Sequence, residues 1–197
     1  RALVLKKQTK LDQAIECLDR ALSLHPANVD AVYTRALVLI KKGSYQLALR
    51  DLDQVLSLKP THADAHFHRG FVFEQQKIMD QAIQEFSRAL ELNPKHIDAL
   101  NNRAVLLMQR GLLDQAIADL STAIEVEPGK PDMLYNRAVM LTKQGKLVQA
   151  LQDFERAIEL NFTQPSVYNY RGLVFLKHDK LDQALQDFDR AIELKCS

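Results

Sequence analysis

The sequence predicts an all-α fold, a solenoid of paired helices stacked one upon the next. Three observations carry this. A step of 34 residues brings Ala14, Ala48, Ala82, Ala116, Ala150 and Ala184 into register, and Arg1, Arg35, Arg69, Arg103, Arg137 and Arg171 keep the same step. Within each period apolar residues recur at three and four positions, the helical signature, and no stretch alternates as a strand would. A two-helix unit of this length cannot bury its own apolar face, whereas stacked copies can.

The expected units form a single array over residues 1–197: a partial unit 1–28, then 29–62, 63–96, 97–130, 131–164 and 165–197. The first opens inside a helix at Arg1 and carries Thr9 where other units place a turn glycine. The second turns at Gly43, a residue that leaves the right-handed helix at little cost, and closes at Pro60, whose ring cannot continue a helix. The third reads ADAHFHRGFVFEQQ, a turn at Lys77, MDQAIQEFSRALEL, then Asn93 and Pro94. The fourth, beginning LNNRAVLLMQRGLLDQAIADL after its entry, turns at Gly111 and closes at Pro128. The fifth repeats the plan as LYNRAVMLTKQGKLVQALQDF with Gly145, but Phe162 replaces the closing proline and Pro165 follows three residues later. A bent or differently spaced junction is expected there. The sixth has Asp179 at its turn, and its last helix, KLDQALQDFDRAIEL, is as apolar on one face as an interior copy. Solenoids need polar caps, so both ends look cut. The expectation is a piece of a longer array, or ends that stack on other copies.

Small residues follow each arginine: Ala2, Ala36, Gly70, Ala104, Ala138 and Gly172. A bulky row runs Leu18, Leu52, Phe86, Leu120, Phe154 and Phe188. The small positions let helix axes approach and the bulky ones fill the gaps. The 34-residue step, the triplet Gly70, Ala82 and Ala89, Phe86 and the closing Pro94 together resemble the tetratricopeptide repeat family over the whole chain. The resemblance implies a right-handed superhelix of antiparallel helix pairs, with the first helix of each unit lining a concave side. It also implies a non-catalytic protein-interaction module that binds a peptide or protein segment; the alternative is a structural scaffold or self-association element.

The arginine row has a partner row sixteen residues on: Arg35 with Asp51, Arg69 with Glu85, Arg103 with Asp119, Arg137 with Asp153 and Arg171 with Asp187. Arg1 lacks one, because Cys17 stands there. An ion pair across two helices is expected, within a unit or with its neighbour. Arginine suits it because a planar fork can hold a carboxylate at two points while its stem packs on apolar side chains.

The balance of charge excludes other classes. Twenty-six Lys and Arg against 25 Asp and Glu leave +1, unlike a surface built to neutralise phosphates. No nucleic acid is therefore expected. No apolar run reaches the length of a membrane span. Cys17 and Cys196 lie far apart with no metal-like spacing, which suits a reducing, intracellular and cytoplasmic setting. His62, His66 and His68 gather near Asp64, and histidines four apart share a helix face. However, His66 falls in the interior row of Val32, Leu100, Leu134 and Tyr168, so packing is preferred to metal binding. No Gly-rich phosphate loop occurs, the carboxylates recur with the repeat rather than around a nucleophile, and no enzyme, metal or cofactor is expected.

The inner wall implied by the resemblance can be read from three rows. Two residues before the arginine come Tyr33, Phe67, Asn101, Tyr135 and Asn169; one before come Thr34, His68, Asn102, Asn136 and Tyr170. Two after come Leu37, Phe71, Val105, Val139 and Leu173. Amides such as Asn102 and Asn136 can both donate to and accept from an extended backbone, and large rings dominate interface energy. Some family members clamp a terminal carboxylate with two lysines, an arginine and two asparagines. Here those places carry aromatics, Asn, Thr and Asp, and Asp30, Asp64, Asp98 and Asp132 stand at the entry side, which disfavours such a ligand. The Asp row at helix starts and Lys7, Lys41, Lys143 and Lys177 near helix ends suit the helix dipole.

Overall fold

A computed structural model describes residues 2–196, with side chains described from Thr9 to Lys195. Arg1, the side chains of Ala2 and Lys7, and that of Cys196 lie outside the described part. Among the described residues there are eleven α-helices and no strand. The chain divides into two compact units, residues 1–99 and 100–197.

In the first unit, α1 (Ala2–Leu24) packs on α2 (Val29–Lys42), which pairs with α3 (Tyr45–Leu58). Next come α4 (Ala63–Gln75) and α5 (Met79–Leu92), and α4 also touches α2 and α3. Leu22, Val32, Ala36, Leu52, Val55 and Ala65 form the core between α1, α2, α3 and α4. The helix α6 (Ile97–Gln109) begins at the end of this unit and runs into the second. There α7 (Leu113–Val126) packs on α8 (Pro131–Lys143), α8 pairs with α9 (Leu147–Glu159), and α10 (Pro165–Lys177) pairs with α11 (Leu181–Cys196). Its core holds Ala138, Leu141, Ala150, Phe154, Val167 and Val174.

Local chemistry ends each helix. The first helices stop in a left-handed residue: Gly43, Gly111 and Gly145 at φ near 80°, Lys77 at 64° and Asp179 at 56°. Two backbone bonds close each turn, such as Lys77 N–H to Glu74 O (2.9 Å) and Ile78 N–H to Phe73 O (2.9 Å), the pattern of a Schellman cap. Thr9 departs from this plan. α1 runs through it without a break, so the expected first turn is helical instead. A β-branched residue resists the left-handed region that Lys77 and Asp179 accept.

Three second helices end differently. Lys59, Asn93 and Glu127 take φ of −139°, −137° and −131°, each directly before a proline that forbids a further helical residue. With Phe162 in place of that proline, α9 ends on a left-handed Asn161 at φ 64°. The chain is then delivered to Pro165 at the first position of α10, where its fixed φ and missing N–H cost nothing. The fifth junction thus ends its helix one residue earlier than the others, while α10 still begins 34 residues after α8, which also starts on a proline.

Candidate functional site

The arginine row forms a ladder of charge-assisted bonds. Arg35 Nε and Nη2 donate to Asp51 Oδ2 and Oδ1 at 2.8 and 2.7 Å. Arg103 grips Asp119 in the same two-point way (2.8 and 2.6 Å), as do Arg137 with Asp153 (2.7 and 2.8 Å) and Arg171 with Asp187 (2.8 and 2.7 Å). The four aspartates are buried and the arginines half-buried. Such paired N–H···O⁻ bonds are the strong kind. Arg171 also lies against the rings of Tyr168 and Phe175, at 5.9 and 5.5 Å from their centroids, within cation–π range.

Glu85 breaks the pattern. Its Oε1 accepts from Arg69 Nη2 (2.7 Å), while its Oε2 meets His66 Nδ1 (2.8 Å). The extra methylene turns the carboxylate so that it spans two partners, and Arg69 Nε is left buried without one. His66 Nε2 faces Pro60 O at 3.3 Å, so this imidazole is a packed member of the ladder.

The ladder also reaches backwards. Arg35 Nη1 donates to Asp19 (2.6 Å), Arg69 Nη1 to Asp53 (2.8 Å) and Arg137 Nη1 to Ser121 Oγ (3.1 Å), each sixteen residues earlier in the preceding pair. The forward spacing in the sequence did not disclose this second contact. It is obscured because the position holds Asp, Asp, Ser, Ser and Glu at 19, 53, 87, 121 and 155.

The first-helix walls differ between the two units. In the first, a chain of rings runs His62–Tyr33–His68–Phe67–His96, with centroid separations of 4.7, 5.6, 4.9 and 4.7 Å. His68 Nδ1 donates to Asp64 O (2.8 Å) and lies 3.0 Å from Tyr33 Oη. Burial holds the His68 pKa below its ordinary value and pushes that of Tyr33 up. His62 and His96 cap α4 and α6, their Nδ1 atoms accepting from Ala65 and Ala99 N–H (3.2 and 3.3 Å). His96 Nε2 stands 3.2 Å from Asp64 Oδ1. Among the described residues no three His, Cys, Asp or Glu gather closely enough to hold a metal. Leu37 and Phe71 are half-buried beside this wall. Glu74, one turn beyond Phe71, was not singled out from the sequence; it is half-buried, and burial raises its carboxyl pKa.

In the second unit the wall is built from amides and phenols. Asn136 Nδ2 donates to Asn101 Oδ1 at 2.9 Å. Tyr135 lies edge-on to Tyr170 (6.0 Å) and packs on Phe162 (5.1 Å), the residue that replaces the fifth proline. Asn102, Asn169 and Val105 are half-buried and Leu173 is exposed. Val139 corrects the expected rows. It is 6% exposed and belongs to the core, so it offers no surface to a ligand. The helix start and end charges lie at the termini: Asp30, Asp64, Asp98 and Asp132 in first turns, Lys41, Lys143 and Lys177 in last turns.

Comparison with known proteins follows the same lines. Tetratricopeptide repeat models match residues 2–71, 63–96, 85–118, 131–163 and 149–195. No curated protein sequence matches the chain. Among solved structures, YrrB superposes with a TM-score of 0.82 at 20% identity, covering 93% of this chain and 94% of that one; it is described as a repeat protein of this kind with an unusual peptide-binding site. MamA of Desulfovibrio magneticus RS-1 superposes at 0.78 and 17% identity, covering 85% and 94%. PilF of Pseudomonas aeruginosa does so at 0.73 and 25%, covering 84% and 76%. No helix among the described residues is long and apolar enough to cross a membrane.

Proposed function

The chain belongs to the tetratricopeptide repeat family, and we propose that it is a non-catalytic interaction module holding an extended segment of a partner protein along the first-helix wall of its second unit. The carrying observation is the Asn136–Asn101 bond, set among half-buried tyrosines. It uses one donor of Asn136 and one acceptor site of Asn101. Each amide keeps capacity for a guest backbone, which presents one N–H and one C=O per residue. Tyr135 and Tyr170 supply ring surface beside those amides, the usual source of binding energy. The peptide-binding site described for YrrB, a protein of the same fold, supports the reading.

Selection of a displayed random-peptide library on the immobilised chain tests it. Enriched peptides should bind the N102A/N136A double variant at least about tenfold more weakly, or about 1.4 kcal/mol, while that variant keeps its thermal midpoint. Absence of enrichment over an unrelated helical protein, or equal binding by the variant, overturns the proposal.

A second reading, self-association, draws on α11. Its Leu181, Leu185 and Ile192 are 62%, 60% and 61% exposed, whereas their counterparts Leu147, Leu151 and Ile158 pack on the core of the same unit. Under this reading, sedimentation at rising concentration should show mass growth that L185K abolishes; a constant monomer mass removes it.

A further inference from the structure

We propose that the pocket over Arg137 is a binding site for the carboxylate of an acidic side chain on a partner protein. The backward arm of the ladder meets a hydroxyl there, where those of Arg35 and Arg69 meet carboxylates. Arg35 and Arg69 each bond two carboxylates, one ahead and one behind: Asp51 and Asp19 for the first, Glu85 and Asp53 for the second. Arg137 has only Asp153 ahead, and behind it Nη1 donates to the neutral hydroxyl of Ser121 at 3.1 Å. That hydroxyl spends its own proton on Ile117 O at 2.8 Å. At Arg137 a hydroxyl therefore stands where Arg35 and Arg69 have a second carboxylate, and the sequence places a serine, Ser87, at the same step before Arg103 as well.

An open pocket of about 300 Å³ stands there, lined by Ile117, Ser121, Arg137, Gln149, Gln152 and Asp153. The equivalent pocket at Arg35 is lined by Asp19 and Asp51 and by Arg50 and Leu47 in place of the two glutamines. The two cavities thus share a scaffold and differ in what fills it. At Arg35 both carboxylates are built in. At Arg137 the second one is lacking, and Gln149 and Gln152, both exposed, offer amide donors at the rim. The guanidinium keeps 23% of its side-chain surface in solvent, so an entering oxygen can reach it. Asp153 and the nearby Glu125 are negative, which sets the affinity low and favours a carboxylate carried by an already docked chain over a free ion. The site lies among α7, α8 and α9 rather than on the first-helix wall, so it does not rest on the groove reading.

The test uses ¹⁵N-labelled protein and the side-chain Nε–H resonances of its arginines. Sodium acetate is the probe, with sodium chloride at equal ionic strength as the control. Acetate should shift the Arg137 signal saturably, at concentrations on the order of tens of millimolar given the weakness of one solvent-open ion pair. The Arg35 signal, already held by two carboxylates, should stay in place. Replacing Asp19 by Ser should transfer the response to Arg35, and S121D should abolish it at Arg137. A peptide bearing one glutamate, displayed at high local concentration on a tethered linker, should compete with acetate. Equal shifts at Arg35 and Arg137, an equal effect of chloride, or an undiminished response in S121D would each overturn the proposal.

Discussion

The two units use one scaffold to present different walls. In the first, the wall carries imidazoles: His68 in the inner rows, with the helix-capping His62 and His96 beside Tyr33 and Phe67. In the second, the same rows carry Asn101, Asn102, Asn136, Asn169, Tyr135 and Tyr170, none of which changes charge near neutral pH. The scaffold below is nearly the same in both, an arginine gripping a carboxylate sixteen residues on. The difference teaches that the repeat holds constant what joins helices together, while the rows around it vary in chemistry. Four tests probe that separation, in falling order of expected effect.

The largest belongs to the scaffold. Asp187 is 4% exposed and is the carboxylate to which Arg171 is bonded, whereas Arg35 would keep Asp19 if Asp51 were lost. Removing one partner of a buried pair costs about 3–5 kcal/mol because the other charge stays behind. D187A should therefore lose about 3 kcal/mol in urea unfolding, the low end because Arg171 is partly solvated, and D51A clearly less. Equal losses would mean that the backward arm contributes nothing.

Next is the small row. A Cβ on Gly70 would stand 2.8 Å from two ring carbons of Phe86, and one on Gly172 would stand 2.7 Å from Phe188. Phe86 is fully buried, but Phe188 is half-buried on the last helix. The first ring has nowhere to go. G70A should cost about 2 kcal/mol by overpacking and G172A less, because Phe188 can swing toward solvent. Ala138, at the equivalent position in the fifth unit, shares a buried cluster with Phe154, so the glycines mark particular ring placements and not a fixed rule of pairing. Circular-dichroism melts of both variants decide the order.

The third substitution breaks the comparison between the walls. Burial holds His68 below the usual imidazole range, against the opposing pull of Asp64 and Asp98, with His96 adding to the depression and the Tyr33 hydroxyl in contact. A depressed folded pKa means that the unfolded chain binds the proton more readily. The contribution to stability is then full above about pH 6.5 and is lost as pH falls through the lower folded value. Amide protection of α4 should drop between pH 7 and pH 5 in the wild type and change less in H68Q. Helices α8 and α10 of the second unit, whose wall has no imidazole, provide the reference. A pH profile unaltered by H68Q would deny His68 this role.

How much of this was legible in the sequence follows from which constraints repeat. The helix pairs, the small and bulky rows and the forward Arg-to-carboxylate spacing recur at one fixed step, because every copy must solve the same packing problem. Thr9 shows the limit. Its position in the period says turn, but its β-branched side chain and a polar, helix-compatible surrounding sequence keep α1 continuous. Val139 shows another: a residue's row says which way it points along an ideal helix, yet how deeply it lies depends on how the surrounding side chains pack, and Val139 joins the core cluster of Phe154 and Tyr168. The backward contacts of Arg35, Arg69 and Arg137 join neighbouring pairs, and their partner position changes residue type, so no repeating letter announced them. Even the chain of rings in the first unit depends on the facing of particular side chains from α2, α4 and the start of α6.

The smallest effect concerns the turns. Lys77 and Asp179 occupy left-handed positions that glycine fills at Gly43, Gly111 and Gly145. A left-handed residue other than glycine costs about 1–2 kcal/mol, and glycine gives back about 0.5–1 in unfolded-state entropy. Either change to glycine should therefore stabilise by about 0.5–1 kcal/mol. Charge and side-chain shape then separate the two sites. Lys77 places a cation at the C-terminal end of α4 and offsets the half-buried Glu74, so its removal surrenders a few tenths of a kcal/mol of favourable dipole and charge interaction. Asp179 places an anion at the C-terminal end of α10, so its removal gains a similar amount. Against this, aspartate tolerates the left-handed region better than lysine does, which trims the gain at 179. The electrostatic contributions have opposite signs at the two sites and so count twice in the difference, whereas the tolerance of aspartate counts once. D179G should thus stabilise more than K77G in paired urea titrations at low salt, with the gap narrowing as salt screens the charges. A gap that reversed, or that ignored salt, would show that backbone strain outweighs charge at these turns.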